Sequence, residues 1–196
     1  MNKSLEPRIE TWFPKLIYLV DDICINELDI YTKEIKKNKI KTKRTQILNV
    51  DSTHVNFRQL HTIKLFSNLV EQIENNSRLF LSYIGYSDDY IKKCCVVDMW
   101  YNVSNKGDYL FPHTHPGSIL AGVFYVKTAV NNKIIFYDTN NNYEPPENIT
   151  NLSMTTCEYQ CIPGRLLLFR SDFTHATPKQ DVDGEKIAIS FNISRI

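Results

Sequence analysis

The most informative stretch of the sequence is Phe111-Pro112-His113-Thr114-His115-Pro116, which is followed about fifty residues later by PGRLLLF at residues 163–169 and then by His175. In an extended strand, side chains two residues apart point to the same face, so His113 and His115 are expected to lie side by side. A third imidazole, from His175, follows a buried apolar strand and could complete a three-histidine face. Such a set leaves coordination positions open, which is typical of catalytic metal sites.

These histidines lie in the second half of the chain, where the sequence pattern predicts many β-strands. From Cys94 onward, short apolar runs alternate with turn-forming residues. The predicted strands are Val96–Val103, Leu120–Lys127, Lys133–Tyr137, Arg165–Phe169 and Lys186–Ile193. Many short strands preceded by helices predict a mainly β protein with flanking helices. The expected fold is a double-stranded β-helix, that is, a jelly-roll, cupin-like barrel.

The first half of the chain is predicted to be partly helical. Phe13–Val20 is expected to form a strand, and Ile23–Ile40 and Asn56–Phe80 have apolar residues at helical spacing. His54 and His61, near the start of the second helix, are interpreted as ordinary polar surface positions. Asn140–Asn151 is expected to be a long loop. We expect one domain over residues 1–196, in which residues 1–93 pack on a barrel core of residues 94–196 that carries the site.

Composition and charge exclude several classes of function. The 23 basic and 22 acidic residues give a formal net charge of +1, which does not support general nucleic-acid binding. The basic cluster Lys33–Arg44 favours a solvated face, with a weak partner-binding patch as the alternative. No apolar run is long enough to span a bilayer, and the first residues lack the apolar core of a signal peptide. The five cysteines are therefore expected to be reduced thiols in the cytoplasm, or in the host cytoplasm if a phage encodes the protein.

Two blocks of sequence carry a family resemblance. The central block contains Trp100-x-Asn102, Gly107, His113-x-His115 and AGVFY at residues 121–125. The C-terminal block contains PGRLLLF, His175 and KIAISFN at residues 186–192. From about Trp12 onward the chain resembles a family of small iron(II)/2-oxoglutarate oxygenases from bacteria and marine phages. The resemblance implies a dioxygenase that uses Fe(II), 2-oxoglutarate and O2, with His113, His115 and His175 as metal ligands.

The sequence departs from the wider superfamily at the metal site. There the ligands follow the pattern His-x-Asp/Glu and a distant histidine, whereas His115 stands at the carboxylate position here, as in the similar small family. A neutral imidazole in that place removes one negative charge from the metal's ligands. The dianionic 2-oxoglutarate would neutralise the remaining +2 charge of Fe(II). An acid near the third histidine, Asp172, is an alternative ligand to His115.

A second departure concerns the residues that would bind 2-oxoglutarate. The resemblance implies an Arg-x-Ser arrangement on the final strand, where this chain has Lys186-x-Ala188. Lysine keeps the positive charge but loses the two-pronged geometry of arginine. Strand parity places Lys186 and Ser190 on the same face, and both are candidate cosubstrate residues. Asn102 and Tyr125 are further candidates. A solvent-facing Lys186, and barrel-lining roles for Asn102 and Tyr125, are the alternatives.

Two other functions remain open from the sequence. The spacing Gly107-x5-His113-x-His115 matches the start of a cupin motif, although the glutamate and the later histidine motif of cupins are missing. A cupin-type three-histidine metalloenzyme that does not use 2-oxoglutarate is therefore one alternative, and a non-catalytic barrel that binds a ligand is another. The substrate is unknown, and a small molecule or a protein side chain is favoured over nucleic acid. No membrane partner is expected, and a homodimer is compatible with the sequence.

Overall fold

The computed structural model describes residues 8–37, 42–44, 48–139, 147 and 150–196. The helices in these residues are α1 (Leu28–Lys37), α2 (Ser67–Tyr83) and α3 (Asp88–Ile91), with short 3-10 turns at Ile25–Glu27, Leu60–Thr62 and Lys64–Phe66. The strands are β1 (Ile17–Val20), β2 (Leu48–Asn49), β3 (Asp51–Ser52), β4 (Cys94–Ser104), β5 (Tyr109–His113), β6 (Leu120–Lys127), β7 (Lys133–Tyr137), β8 (Thr156–Gln160), β9 (Leu166–Arg170), β10 (His175–Thr177) and β11 (Lys186–Arg195).

The strands form two antiparallel sheets. The larger sheet has the order β1-β9-β6-β11-β4-β3, and the smaller has the order β2-β5-β10-β7-β8. The expected jelly-roll fold is thus confirmed. Within the described residues no ladder of hydrogen bonds joins the two sheets, so the expected barrel is a pair of facing sheets and is not closed.

The helices cover the outer face of the larger sheet, and the alternation of side chains along β11 explains why. Ile187, Ile189, Phe191 and Ile193 are all almost completely buried in one core cluster with α1 and α2. The alternate residues of β11 point to the other face, between the two sheets. Because strand side chains alternate, the burial of the isoleucine face determines which residues face the interior of the sandwich.

The N-terminal half differs from the expectation in one respect. The helix expected over Asn56–Phe80 begins only at Ser67, because Ile63 has an extended backbone (φ −83°, ψ 121°) that interrupts it. The preceding segment pairs with the larger sheet instead: the Met99 amide donates to the Arg58 carbonyl at 2.8 Å, and Gln59 forms a bridge with Met99. The apolar positions of that stretch, such as Leu60 and Phe66, are nevertheless buried in the core.

The strands expected over Leu120–Lys127 and Lys133–Tyr137 are found with these bounds, and the other expected elements have shifted ends. The first strand covers only Ile17–Val20, and the helix expected over Ile23–Ile40 is a 3-10 turn followed by α1. The end of that helix, part of the basic cluster and most of the Asn140–Asn151 loop lie outside the described residues. All five cysteines are free thiols. In the part of the chain that the structure describes, no helix is long and apolar enough to cross a bilayer.

Gly122 on β6 is packed closely against both neighbouring strands. It lies directly opposite Phe191 of β11, and a Cβ atom at this position would meet the Phe191 ring and come within 2.6 Å of the Leu167 carbonyl oxygen. We expect Gly122→Ala to lower the free energy of unfolding by about 1–3 kcal/mol, because a buried backbone oxygen cannot move away freely. Urea denaturation measures this loss. The exposed Ser82→Ala on α2 is the control and should change stability by less than about 0.5 kcal/mol. An equally small change in Gly122→Ala would contradict the prediction.

Candidate metal centre

Three histidine side chains converge between the two sheets. Strands β5 and β10 pair so that His113 and His175 lie directly opposite each other, and their ring centroids are 4.3 Å apart. The ring of His115 lies 5.3 Å from that of His113 and 5.1 Å from that of His175. One nitrogen from each of the three rings lies within 4.8 Å of the other two. The sequence motif therefore brings its three imidazoles together as expected.

The backbone at His115 differs from the expectation. Strand β5 ends at His113, so the prediction that both histidines lie in one strand is wrong. His115 is held beyond the strand end by its own amide, which donates to the Ser171 carbonyl at 2.8 Å. Ser171 in turn bonds through its hydroxyl to the Ser118 carbonyl. These contacts hold the loop after β5 against the turn that precedes His175. They thereby bring the His115 ring next to the rings of His113 and His175.

The outer nitrogen of each histidine already has a hydrogen-bond partner. His113 Nδ1 lies 2.7 Å from the Phe111 carbonyl, and His175 Nδ1 lies 2.9 Å from the Phe173 carbonyl. A carbonyl can only accept, so each of these Nδ1 atoms is protonated and each Nε2 keeps a free lone pair. His115 Nδ1 lies 2.6 Å from Asn192 Oδ1. A metal-binding histidine commonly has such an arrangement, and the three side chains fit a metal ion bound through Nε2.

Burial keeps the three imidazoles neutral. It lowers the pKa of His175 to about 3 and that of His115 to about 4, and it also lowers the pKa of His113. Each neighbouring histidine disfavours a positive charge on the others and adds to the effect on His115 and His175. Neutral imidazole is the form that binds a metal, so near pH 7 no proton has to leave before a cation binds.

The histidines open into a cavity of about 550 Å³ between the sheets. This is a normal size for a small-molecule site. The inward face predicted for the final strand lines the cavity through Lys186, Ala188, Ser190 and Asn192. The candidates Asn102 and Tyr125 also line it. Among the described lining residues no side chain is acidic, whereas two, Lys186 and Arg58, are cationic.

Lys186 is buried inside this cavity, with 4% of its surface exposed. The alternative that it is a solvent-facing lysine is therefore wrong. Within the described residues its ammonium makes no hydrogen bond or ion pair, and burial lowers the pKa of Lys186. A buried lysine without a close counter-charge is rare, because an unpaired charge loses its hydration. The cavity thus contains a cation suited to an anionic ligand.

Two polar atoms in the cavity wall near Lys186 also have no hydrogen-bond partner among the described residues. Ser104 lies opposite Lys186 in the β4–β11 ladder, and its hydroxyl oxygen is buried without a hydrogen bond. The Asn102 amide nitrogen donates to the Ser190 hydroxyl at 3.1 Å, while Asn102 Oδ1 is buried without a partner. Tyr125 is fully buried beside the Cys161 thiol, and this burial raises the pKa of the Tyr125 phenol. Unsatisfied buried polar atoms are uncommon, and here they surround the place where a polar ligand would fit.

One wall of the cavity was not recognised as part of the site from the sequence. His54 was expected at the surface, but it lines the cavity, and its ring lies 4.8 Å edge-on from the Trp100 ring. Trp100 stacks on His115 at 5.7 Å, and the Arg58 guanidinium lies 5.5 Å from the centre of the Trp100 ring. His54 and Arg58 come from the segment that pairs with β4. No local pattern in that segment signals a site.

Asp172, the alternative to His115 as a ligand, lies outside this group. Its side chain is 73% exposed and forms an ion pair with Arg170 at 3.4 Å. Among the described residues, the cluster suited to a metal consists of the three histidines.

Comparison with known structures shows the same fold. The Pseudomonas putida prolyl-4-hydroxylase aligns with a TM-score of 0.64 and 8% identity, over 92% of this chain and 92% of that chain. The 2OG complex of the viral collagen prolyl hydroxylase from Paramecium Bursaria Chlorella virus-1 gives 0.61 and 15% identity, over 92% and 96% of the two chains. HygX from Streptomyces hygroscopicus, with nickel and 2-oxoglutarate bound, gives 0.61 and 10%, over 91% and 82%.

The family is indicated by the sequence of the region that carries the site. No curated protein sequence matches the chain. Residues 98–192, however, match a family model described as "Putative 2OG-Fe(II) oxygenase". This stretch includes the three histidines and Lys186, and it runs from Asp98 within β4 to Asn192 within β11. Over residues 98–192, which make up just under half of its length, the chain is similar to this oxygenase family.

Proposed function

We propose that the protein is an Fe(II)/2-oxoglutarate-dependent dioxygenase in which His113, His115 and His175 hold the iron. The observation that carries the proposal is the convergence of three neutral imidazoles, each with its Nδ1 already hydrogen-bonded, at the wall of the cavity between the sheets. Three protein ligands leave half of an octahedral coordination sphere open. That is enough for a cosubstrate that binds through two atoms and for O2.

The charges in the cavity support 2-oxoglutarate as the cosubstrate. Three imidazoles leave the full +2 charge of the iron uncompensated, and Lys186 adds a second positive centre in the same cavity. A dicarboxylate can neutralise both, with one end at the metal and the distal carboxylate at Lys186. When bound, Fe(II) and 2-oxoglutarate supply the oxidising chemistry, in which 2-oxoglutarate and O2 yield succinate and CO2 and a substrate C–H bond is oxidised.

The chain's own residues would bind and orient the cosubstrate. We assign the distal carboxylate to the Lys186 ammonium and the Ser104 hydroxyl, which face each other across the β4–β11 ladder. Ser104 would thereby supply the hydroxyl that Ala188 lacks. Ser190 accepts a hydrogen bond from Asn102, so its own proton is free for a ligand oxygen. Tyr125, buried beside Cys161, closes the same end of the cavity.

Apolar side chains would keep water away from the reacting groups. Val123, Phe169 and Ile134 line the cavity, and Phe169 packs on the His175 ring with centroids 4.6 Å apart. Exclusion of water strengthens the electrostatic contacts inside and limits side reactions of the oxidant. The open side of the site lies towards His54, Val55 and Pro116, where a substrate would approach.

For the substrate we propose a small molecule or a protein side chain. The structures with the same fold include one named as a collagen prolyl hydroxylase and one containing hygromycin B. The net charge of +1 lacks the positive excess that nucleic-acid binding requires. The five free cysteines fit a reducing compartment, and we place the protein in the cytoplasm.

The metal assignment predicts turnover that depends on the histidines. Purified protein supplied with Fe(II), ascorbate and 2-oxoglutarate should slowly release succinate even without substrate. His113→Ala and His175→Ala should reduce succinate to the level of a blank without enzyme, because two imidazoles cannot hold the iron tightly. His61→Ala, outside the cavity, is the control and should keep the wild-type rate.

Two results would overturn the proposed function in different ways. Failure of the wild type to bind Fe(II) would exclude any iron enzyme at this site. Binding of Fe(II) with a spectrum that does not respond to 2-oxoglutarate would instead favour a cupin-type three-histidine enzyme.

The role of Lys186 predicts a separate defect. Lys186→Ala should raise the 2-oxoglutarate concentration needed for half-maximal succinate release by roughly 10- to 100-fold, since a charge-assisted hydrogen bond contributes about 1.5–3 kcal/mol. The affinity for Fe(II) should remain nearly unchanged. Lys186→Arg should retain part of the 2-oxoglutarate affinity because it keeps the charge. Lys127→Ala, which removes an exposed lysine paired with Glu185, is the matched control. An unchanged 2-oxoglutarate requirement in Lys186→Ala would refute the assignment.

A further inference from the structure

His115 differs from the other two histidines in what holds its Nδ1 atom. His113 and His175 each bond to a backbone carbonyl, which can only accept a hydrogen bond. His115 bonds to the side-chain amide of Asn192, and an amide has an accepting oxygen at one position and a donating nitrogen at the other. A reversed amide would donate to His115 and shift the ring proton to Nε2. In that form Nε2 could not bind a metal.

The orientation of Asn192 depends on a third residue. Asn192 Nδ2 donates to Asp98 Oδ2 at 3.3 Å, and the two residues are direct partners in the β4–β11 ladder. A carboxylate can only accept, so it attracts the amide nitrogen and leaves the amide oxygen facing His115. Because that oxygen accepts, His115 Nδ1 must carry the proton. The carboxylate of Asp98 thus determines which nitrogen of His115 faces the metal site.

Arg58 holds the carboxylate in place. Its Nη2 atom donates to Asp98 Oδ2 at 2.6 Å, and the Arg58 carbonyl accepts from the Met99 amide at 2.8 Å. The same guanidinium lies over Trp100, which stacks on the His115 ring. His115 is therefore constrained twice, at its Nδ1 atom through Asn192 and across its ring face through Trp100.

We propose that Arg58, Asp98 and Asn192 form a positioning relay that keeps His115 in the Nδ1–H tautomer and so makes it a metal ligand. The proposal rests on the proposed function for the identity of the site but concerns a separate property, the tautomer of one ring. The relay also places a negative charge two hydrogen bonds from the ring, in a site whose three ligands are neutral. A carboxylate acting on a histidine in this way makes its metal-binding nitrogen more basic.

The decisive experiment measures the tautomer in the metal-free protein. Long-range 1H–15N NMR spectra at pH 8 distinguish Nδ1–H from Nε2–H rings, and His115→Gln assigns the signal. The wild type should show His115 as Nδ1–H. In Asp98→Asn the side chain keeps its size but can also donate, so Asn192 is free to reverse and a measurable fraction of Nε2–H should appear. The affinity for Co(II), used as the probe metal, should fall by roughly 10- to 100-fold.

A charge swap separates the relay from a general structural role. Asp98→Asn combined with Asn192→Asp puts the carboxylate next to His115 and the amide next to Arg58. The hydrogen bond between positions 98 and 192 then runs in the opposite direction, but His115 Nδ1 still faces an acceptor and Arg58 still donates to position 98. The double variant should therefore return His115 to Nδ1–H. Asp21→Asn is the matched control, because it removes the carboxylate from another arginine pair, with Arg165 Nε at 2.6 Å, outside the cavity. It should leave the tautomer and the Co(II) affinity unchanged.

Two results would overturn the proposal. One is a His115 ring that stays fully Nδ1–H in Asp98→Asn, with Co(II) affinity within about twofold of the wild type. The other is an Nε2–H ring in the charge-swapped variant, which also decides the matter if Asp98→Asn alone does not fold. Neither measurement uses iron, 2-oxoglutarate or turnover. Failure of the relay is therefore distinguishable from failure of the proposed function.

Discussion

The alignment of β11 between β4 and β6 is the constraint on which the rest of the site depends. On its inward face it places Lys186 opposite Ser104, Ala188 opposite Asn102, and Asn192 opposite Asp98. The cation, the polar groups around it and the partner of His115 thus all come from one pair of strands. A shift of this ladder by one residue would turn isoleucines into the cavity and Lys186 into the apolar core. Such a shift is strongly opposed, because Ile187, Ile189, Phe191 and Ile193 are almost fully buried against the helices.

The sequence alone was sufficient to predict those features of the site that depend on a short local pattern of residues. The alternation in KIAISFN at residues 186–192 is visible in the sequence, and the inward face that it predicts is the face that lines the cavity. The His-x-His pair and the histidine after the apolar strand were also expected to meet, and their rings do lie together. Strand periodicity explains the inward face of β11, and His175 follows directly after the apolar strand; the convergence of His115 was predicted correctly, but for another reason.

The sequence was insufficient where a contact depends on strand alignment or on the path of a loop. His115 converges on the other histidines because of backbone bonds to the following turn, and not through strand alternation as predicted. The helix pattern around Asn56 was misleading, since burial of Leu60 and Phe66 is equally well achieved by 3-10 turns while Arg58 and Gln59 pair with β4. For the same reason His54 was placed at the surface. Asp98 carries no motif, and its contact with Asn192 follows only from a ladder between residues 94 apart.

The two ends of the cavity would bind different charges, a metal cation at the histidines and a carboxylate at Lys186. This difference explains which charged side chains line each end. Among the described residues, the end with the histidines has no carboxylate ligand, and the carboxylate of Asp98 is paired with Arg58 and separated from the His115 ring by the Asn192 amide. The other end contains a lysine that forms no ion pair among the described residues, although the charge of Asp108 acts on it from a longer distance. An acid in the cavity wall would neutralise Lys186 directly and compete with an incoming carboxylate. Because Asn192 lies between Asp98 and His115, the carboxylate can polarise the His115 ring without neutralising the positive charges of the metal and Lys186, which would bind a dianionic cosubstrate. In the proposed function, a three-histidine site and a buried lysine without an ion pair are thus two parts of one arrangement, in which a bound dicarboxylate would supply the negative charge.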